Sequence, residues 1–182
     1  KQAKTINLGL MYGMGKNKLK AELGLLDEQA EKLIMQYKDR APFVNDLIHA
    51  VSKRAQERGR IRTIGGRACH FDLWEPTTFG VHKPLPHTEA RVEYGPGIKR
   101  AFTYKALNKL IQGSAADMTK IAMVKLYKEG IIPMIQIHDE LDVSVESPEQ
   151  AEKIIQIMES AVELVVPNKV DYEKGPNWGE AK

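Results

Sequence analysis

The sequence predicts an α+β chain: a helical first half, then a helix–strand–strand–helix–strand second half with helices on one face of a small antiparallel sheet. Three observations predict it. Apolar residues recur at helical spacing through the first 58 residues, with breaks at Gly13, Gly15, Gly24 and Pro42. A long stretch from Lys99 to Glu129, closed by Gly130, reads as one helix. After it, apolar residues on either side of His138-Asp139-Glu140 give two strands joined by a tight acidic turn.

Each element has its own local reason. Residues 1 to about 14 form the first helix, and Asn17 to Leu23 a short second one that stops at Gly24. Asp27 is the expected N-cap of a helix through Asp39, with Ala30, Leu33, Ile34 and Tyr37 on one face. Pro42 breaks it. Phe43 to Arg58 follows, with Val44, Leu47, Ile48 and Val51 as its apolar stripe, and ends at Gly59. Arg60 to Asp72 is a hairpin turning at Gly65-Gly66. Residues 73–97 hold four prolines and read as an irregular loop or insertion. Ser147-Pro148-Glu149-Gln150 starts a helix: Ser as N-cap, Pro at the first helical position, Gln closing a capping box. Its buried face is Ala151, Ile154, Ile155, Met158, Ala161 and Val162. A short last strand is expected near Val170.

At 182 residues the chain is long enough for a real core, and 42% apolar with 28% charged residues is the balance of a soluble globular protein. No run approaches the roughly 18 apolar residues of a membrane span. One cysteine, Cys69, excludes an internal disulfide and fits a reducing, cytoplasmic setting. A net charge of +3 does not by itself argue for nucleic acid. Lys1 is not expected to be a native start, so the chain reads as the C-terminal part of something longer.

Three groups of residues could carry chemistry. Lys4, Leu8 and Tyr12 stand at i, i+4 and i+8 on one helix face, a cation beside an apolar and aromatic surface. They suit a phosphate with a base or sugar, or equally a snorkelling lysine above core residues. Arg100, Tyr104, Asn108 and Gln112 recur every fourth residue as a polar ridge, followed by the small run Gly113-Ser114-Ala115-Ala116. Such a ridge could reach minor-groove acceptors that report duplex shape, or could be a solvated face. At the hairpin tip, Asp139 could hold a divalent cation while His138, on the other side by strand alternation, donates elsewhere; an ordinary solvated turn is the alternative.

Taken in order, these pieces resemble family A DNA polymerases. Lys4 to Gly13 is similar to the fingers-helix motif K-x-x-N-F-G-x-x-Y-G. Gln112-Gly113-Ser114-Ala115-Ala116-Asp117 resembles Q-G-[ST]-A-A-D, and His138-Asp139-Glu140 the palm H-D-E turn. Arg62-Thr63 with Gly66-Arg67 resembles the T-x-x-G-R hairpin, and Gly175-Pro176-Asn177-Trp178 the family's C-terminal end. The resemblance implies a right-hand fold: fingers helices over 1–59, a hairpin and irregular loop over 60–97, and part of the antiparallel palm over 98–182. It implies template-directed DNA synthesis from dNTPs on a primer–template.

By the same resemblance, Lys4 meets the incoming triphosphate and Leu8, Tyr12 and Gly13 line the nucleotide pocket. Asn108, Gln112 and His138 lie along the primer–template minor groove, and Arg100 and Tyr104, from the polar ridge they share with Asn108 and Gln112, are expected at the DNA too. Asp139 is a metal carboxylate in a two-Mg²⁺ site, with Glu140 near the primer end. The family's other metal aspartate and the motif's arginine fall outside these residues, so the 182 residues alone are expected not to extend a primer without the remainder of the parent chain. Leu8 stands where the family usually has Phe or Tyr, which leaves sugar selectivity open. Alternatives are a single-subunit RNA polymerase, which tends to H-D-S at this turn, and a non-catalytic duplex-binding module.

Overall fold

The structure is a computed structural model, and it describes residues 2–12, 14–78 and 80–181. The chain divides into two compact units, Lys1–Ile111 and Gln112–Lys182.

In the first unit, α1 (Gln2–Met11), α2 (Lys16–Leu23) and α3 (Asp27–Arg40) gather around Leu10, Leu19 and Ala30, with Ile6, Leu33, Ile34 and Tyr37 packed against them. Gly24 takes a left-handed conformation (φ 64°), which ends α2 and turns the chain into α3. Asp27 is not the N-cap: that position is Leu26, whose N–H donates to Gln29 Oε1 at 2.9 Å. Asp27 instead sits in the first turn, where its charge suits the helix dipole and Lys20 pairs with it. Pro42 does more than end α3. It is the first residue of α4 (Pro42–Arg58), where a missing N–H costs nothing.

The second core of this unit joins α4 to the hairpin β1 (Arg60–Arg62) and β2 (Ala68–His70) through Val51, Ala55, Ile61, Phe71, Ala106 and Leu107. The register pairs Arg60 with His70 and Arg62 with Ala68, so the turn lies at Thr63–Arg67, as the glycine pair predicts. Ile61 faces inward, and Arg60 and Arg62 face out.

Residues 73–97 are more ordered than a loop. β3 (Leu73–Pro76) is the centre of a three-stranded antiparallel sheet between β4 (Leu85–Pro86) and β5 (Ile98–Arg100), and α5 (His87–Tyr94) packs on it. Two of the four prolines sit in these elements where a lost donor is tolerated: Pro76 at the end of β3, and Pro86 on the edge strand β4, where it is also the cap of α5. Trp74 holds the piece together. His87 meets its ring edge-on at 4.7 Å, and the Arg100 guanidinium covers it at 4.6 Å.

The long helix is shorter than its pattern predicts. Lys99 and Arg100 belong to β5, and Phe102 (φ 61°) breaks the chain direction before a 3₁₀ turn at Thr103–Lys105. Only then does α6 (Ala106–Lys128) begin, and the boundary between the units falls within it.

In the second unit, the end of α6, the hairpin β6 (Ile135–Ile137) and β7 (Glu140–Asp142), and α7 (Pro148–Glu159) share a core of Leu126, Ile131 and Ile154. Leu141, Val143, Ile157 and Met158 pack against it. The turn after α6 is a Schellman type: Gly130 (φ 74°) donates to the Tyr127 carbonyl, and Ile131 to that of Leu126. Ser147 caps α7, accepting from Gln150 N at 3.3 Å, while Gln150 Oε1 accepts from Glu146 N at 2.7 Å. The box therefore closes one residue before the cap. The chain from 161 to 177 forms no strand; at Val170 the backbone N–H instead donates to Glu159 Oε1.

Candidate active site

Helix α1 presents Lys4 and Leu8 outward. Leu8 is 40% exposed, and no carboxylate pairs with Lys4 among the described residues. Tyr12 follows the helix in a turn, its N–H bonded to the Leu8 carbonyl at 3.0 Å, and its side chain is half-buried. Asn7, between the two exposed residues, accepts from Tyr37 Oη at 3.2 Å and so ties the helix to α3. A cation and an apolar side chain thus share the open face that the spacing predicts. Gly13 lies outside the described residues.

The ridge of four polar residues is not one helix face. Arg100 is on β5, and Tyr104 is in the 3₁₀ turn. Only Asn108 and Gln112 stand one turn apart on α6, both exposed. Tyr104 is 67% exposed, with Lys105 Nζ over its ring. The Arg100 guanidinium is already engaged: Nη1 donates to the Phe71 carbonyl at 2.8 Å and Nε to that of Gln56 at 3.2 Å, and the group stacks on Trp74. Of the small run, Ala115 accepts from Thr119 Oγ1 within the helix. Asp117 is buried.

At the hairpin tip the loop has two residues, His138 and Asp139, closed by the Ile137–Glu140 pair. His138 takes a left-handed backbone (φ 53°), and Gln136 Nε2 donates to its carbonyl at 2.6 Å. Strand alternation therefore does not set the two side chains apart, because neither residue is in a strand. The turn itself aims Asp139 into solvent. Glu140 and Asp142 share one face of β7 by the two-residue period. Trp178 Nε1 donates to Glu140 Oε1 at 3.3 Å. Asp142 Oδ2 is enclosed without a hydrogen-bond partner. That burial, and next the Glu140 charge, hold the Asp142 carboxyl above its ordinary range.

Sequence reasoning missed Asp142 and the Trp178 contact. The first was signalled by its place two residues after Glu140; the second spans 38 residues and had no local signal. Among the described residues no three His, Cys, Asp or Glu side chains are gathered as a metal cage. Beside the His138 imidazole, the tip offers the carboxylate oxygens of Asp139 and Glu140, which suit a hard cation that also takes ligands from a bound phosphate.

An open basic–apolar helix face and a rigid carboxylate hairpin are parts of the kind used by enzymes that transfer phosphoryl or nucleotidyl groups. The family model for DNA polymerase family A matches residues 1–180, and the chain belongs to that family. The thermostable DNA polymerase I of Thermus filiformis is 34% identical over 99% of this chain and 20% of its own length. A DNA-directed DNA polymerase of Pseudomonas phage M6 is 30% identical over the whole chain and 29% of its own length. Among solved structures, the POL domain of Pol1 from M. smegmatis, in complex with DNA primer-template and dNTP, superposes with a TM-score of 0.69 at 30% identity, covering 91% of this chain and 28% of that one. The chain therefore spans between a fifth and three tenths of the length of these relatives. No helix among the described residues is long and apolar enough to cross a membrane.

Proposed function

We propose that these residues form part of a DNA-directed DNA polymerase that joins a primer 3′-OH to an incoming dNTP on a template strand. The observation that carries this is the family match across residues 1–180, with His138 and Asp139 forming a two-residue hairpin turn that Glu140 closes. In the reaction the primer 3′-oxygen bonds to the α-phosphorus, and the bond from that phosphorus to the pyrophosphate oxygen breaks. Lys4, exposed and without a carboxylate partner among the described residues, offsets charge on the triphosphate as the pyrophosphate leaves. Leu8 and Tyr12 offer surface to the sugar and base, a role proposed for Gly13 as well. Asn108 and Gln112 read minor-groove acceptors from α6, and His138 and Tyr104 lie along the primer–template. Arg100 is not carried into this set, since its guanidinium holds two carbonyls.

Asp139 would hold Mg²⁺, which when bound stabilises negative charge on the attacking and leaving oxygens. Glu140, oriented by Trp178, stands next to it at the primer end. The setting is the cytoplasm of a bacterium or a phage-infected cell. The family match favours this reading over a single-subunit RNA polymerase.

The test is primer extension by the polymerase chain that carries these residues. Asp139→Asn should lower kcat by about a hundredfold or more, corresponding to roughly 3 kcal/mol of lost transition-state stabilisation. Wild-type extension by the Asn variant, or preference for ribonucleotides in the parent, would overturn the assignment. Duplex binding without any Mg²⁺-dependent extension would favour the non-catalytic module.

A further inference from the structure

A strongly basic concavity of the first unit is lined by none of Lys4, Leu8 and Tyr12. It has a volume of about 730 Å³ and runs between the C-terminal half of α4 and the outer face of the β1–β2 hairpin. Arg54 and Arg58 enter it one helical turn apart; Arg60 and Arg62 enter from alternate positions of β1, with His70 opposite Arg60. Against these cations the lining holds one carboxylate, Asp72. Arg62 is partly spent on the Gly66 carbonyl (2.7 Å), and Arg100 is spent as described. Arg54, Arg58 and Arg60 have no ion-pair partner among the described residues, although Lys53 and Glu57 on the same helix find each other at 3.9 Å. Like charges left facing one concavity repel, and an anionic ligand relieves that repulsion. The floor is aliphatic: Leu47, Val51, Ile61 and Leu110.

We infer that this groove docks an acidic peptide segment of a partner protein, with one aliphatic side chain of the segment seated on the floor. Three features choose this ligand. Guanidinium forks match carboxylates two bonds at a time. An aliphatic floor under a charged rim is the usual layout of a site that anchors an apolar group. Among the described residues the one aromatic ring in the lining is the His70 imidazole, and the floor is aliphatic, so a single nucleic-acid strand would find no run of stacking platforms for successive bases. A duplex offers its own grooves to protruding helices and strands, not to a hollow.

The experiment uses the polymerase chain that contains these residues, with fluorescence anisotropy of a labelled dodecapeptide of mixed glutamate and leucine. An all-glutamate dodecapeptide and a thymidine dodecanucleotide serve as competitors. The mixed peptide should bind with an affinity that falls with salt. The double charge reversal Arg54→Glu with Arg58→Glu should weaken it about tenfold or more, while Lys32→Glu on α3 leaves it unchanged. Primer extension should be the same in all of these. Arg60→Glu alone, from the other wall, should weaken binding too and guards against a local fault in α4. Binding that ignores the reversals would overturn the inference. So would an all-glutamate peptide that competes as well as the mixed one, or an oligonucleotide that displaces the peptide first.

Discussion

Replacing Gly59 by alanine puts a methyl group where the first unit has no room for it. The residue is buried, its φ is 65°, and a Cβ there would lie 2.7 Å from Arg100 Cζ and 2.8 Å from Nη1. An L-residue in the left-handed region costs about 1–2 kcal/mol. The clash adds a second cost, because the guanidinium cannot swing away freely. It must loosen bonds to the Phe71 and Gln56 carbonyls, each worth roughly 1.5–3 kcal/mol for a charged donor, and its stack on Trp74, worth about 0.5–1. With partial relaxation, Gly59→Ala should cost about 2–4 kcal/mol. The two contributions separate in a double-mutant cycle. In an Arg100→Ala background the clash is gone, and only the backbone cost of about 1–2 kcal/mol should remain. The assay is urea unfolding followed by Trp74 fluorescence, with Trp178→Phe as a common background so that one indole reports. An equal cost of Gly59→Ala with and without Arg100, or a cost under about 0.5 kcal/mol, would refute the packing argument.

Leu126 is fully buried in the second unit's core, so Leu126→Ala should destabilise that unit by about 2–5 kcal/mol, read by amide hydrogen exchange over 126–158. Asp142 gives a pH dependence of opposite sign to the usual carboxylate. Burial raises its folded pKa, so the associated stability is full below the ordinary 3.8 and declines as pH rises through the raised value. Asp142→Asn should therefore melt higher than the parent at neutral pH and match it in strong acid; a lower melting point at neutral pH contradicts the assignment. Leu8→Tyr in the parent polymerase should raise incorporation of dideoxynucleotides relative to deoxynucleotides, because a phenol can replace the contact of the missing 3′-OH. Unchanged discrimination in a competition assay counts against it.

Helix boundaries were legible wherever the chain marks them chemically. Gly24, Pro42, Gly59, Gly130 and Ser147 act through their own backbone or side chain, and each boundary falls within a residue or two of its mark. The hairpins were legible for the same reason, with Gly65-Gly66 at one turn and apolar–acidic–apolar patterning at the other. Residues 73–97 were not. Prolines suggested a loop, whereas Trp74 recruits His87 and Arg100, 13 and 26 residues away, and local pattern carries no record of such partners. The start of α6 was hidden by Phe102, an ordinary residue type in an unusual backbone region. The candidate site shows the same division. Lys4, Leu8 and Asp139 stand exposed where spacing predicted, but Arg100 is taken up by carbonyls that only the folded chain brings near.

The bend at His138-Asp139 has no slack. Met134 N–H, the Ile135–Asp142 pair and the Ile137–Glu140 pair tie both arms down to the last residue before it. Adding or removing one residue in either arm would exchange the inner and outer faces beyond that point, turning Leu141 toward water and a carboxylate toward Leu126 and Ile154. This stretch thus behaves as a measuring rod. Its side chains can be exchanged at moderate cost, but its count of residues fixes how far the tip acid projects from the helices beneath.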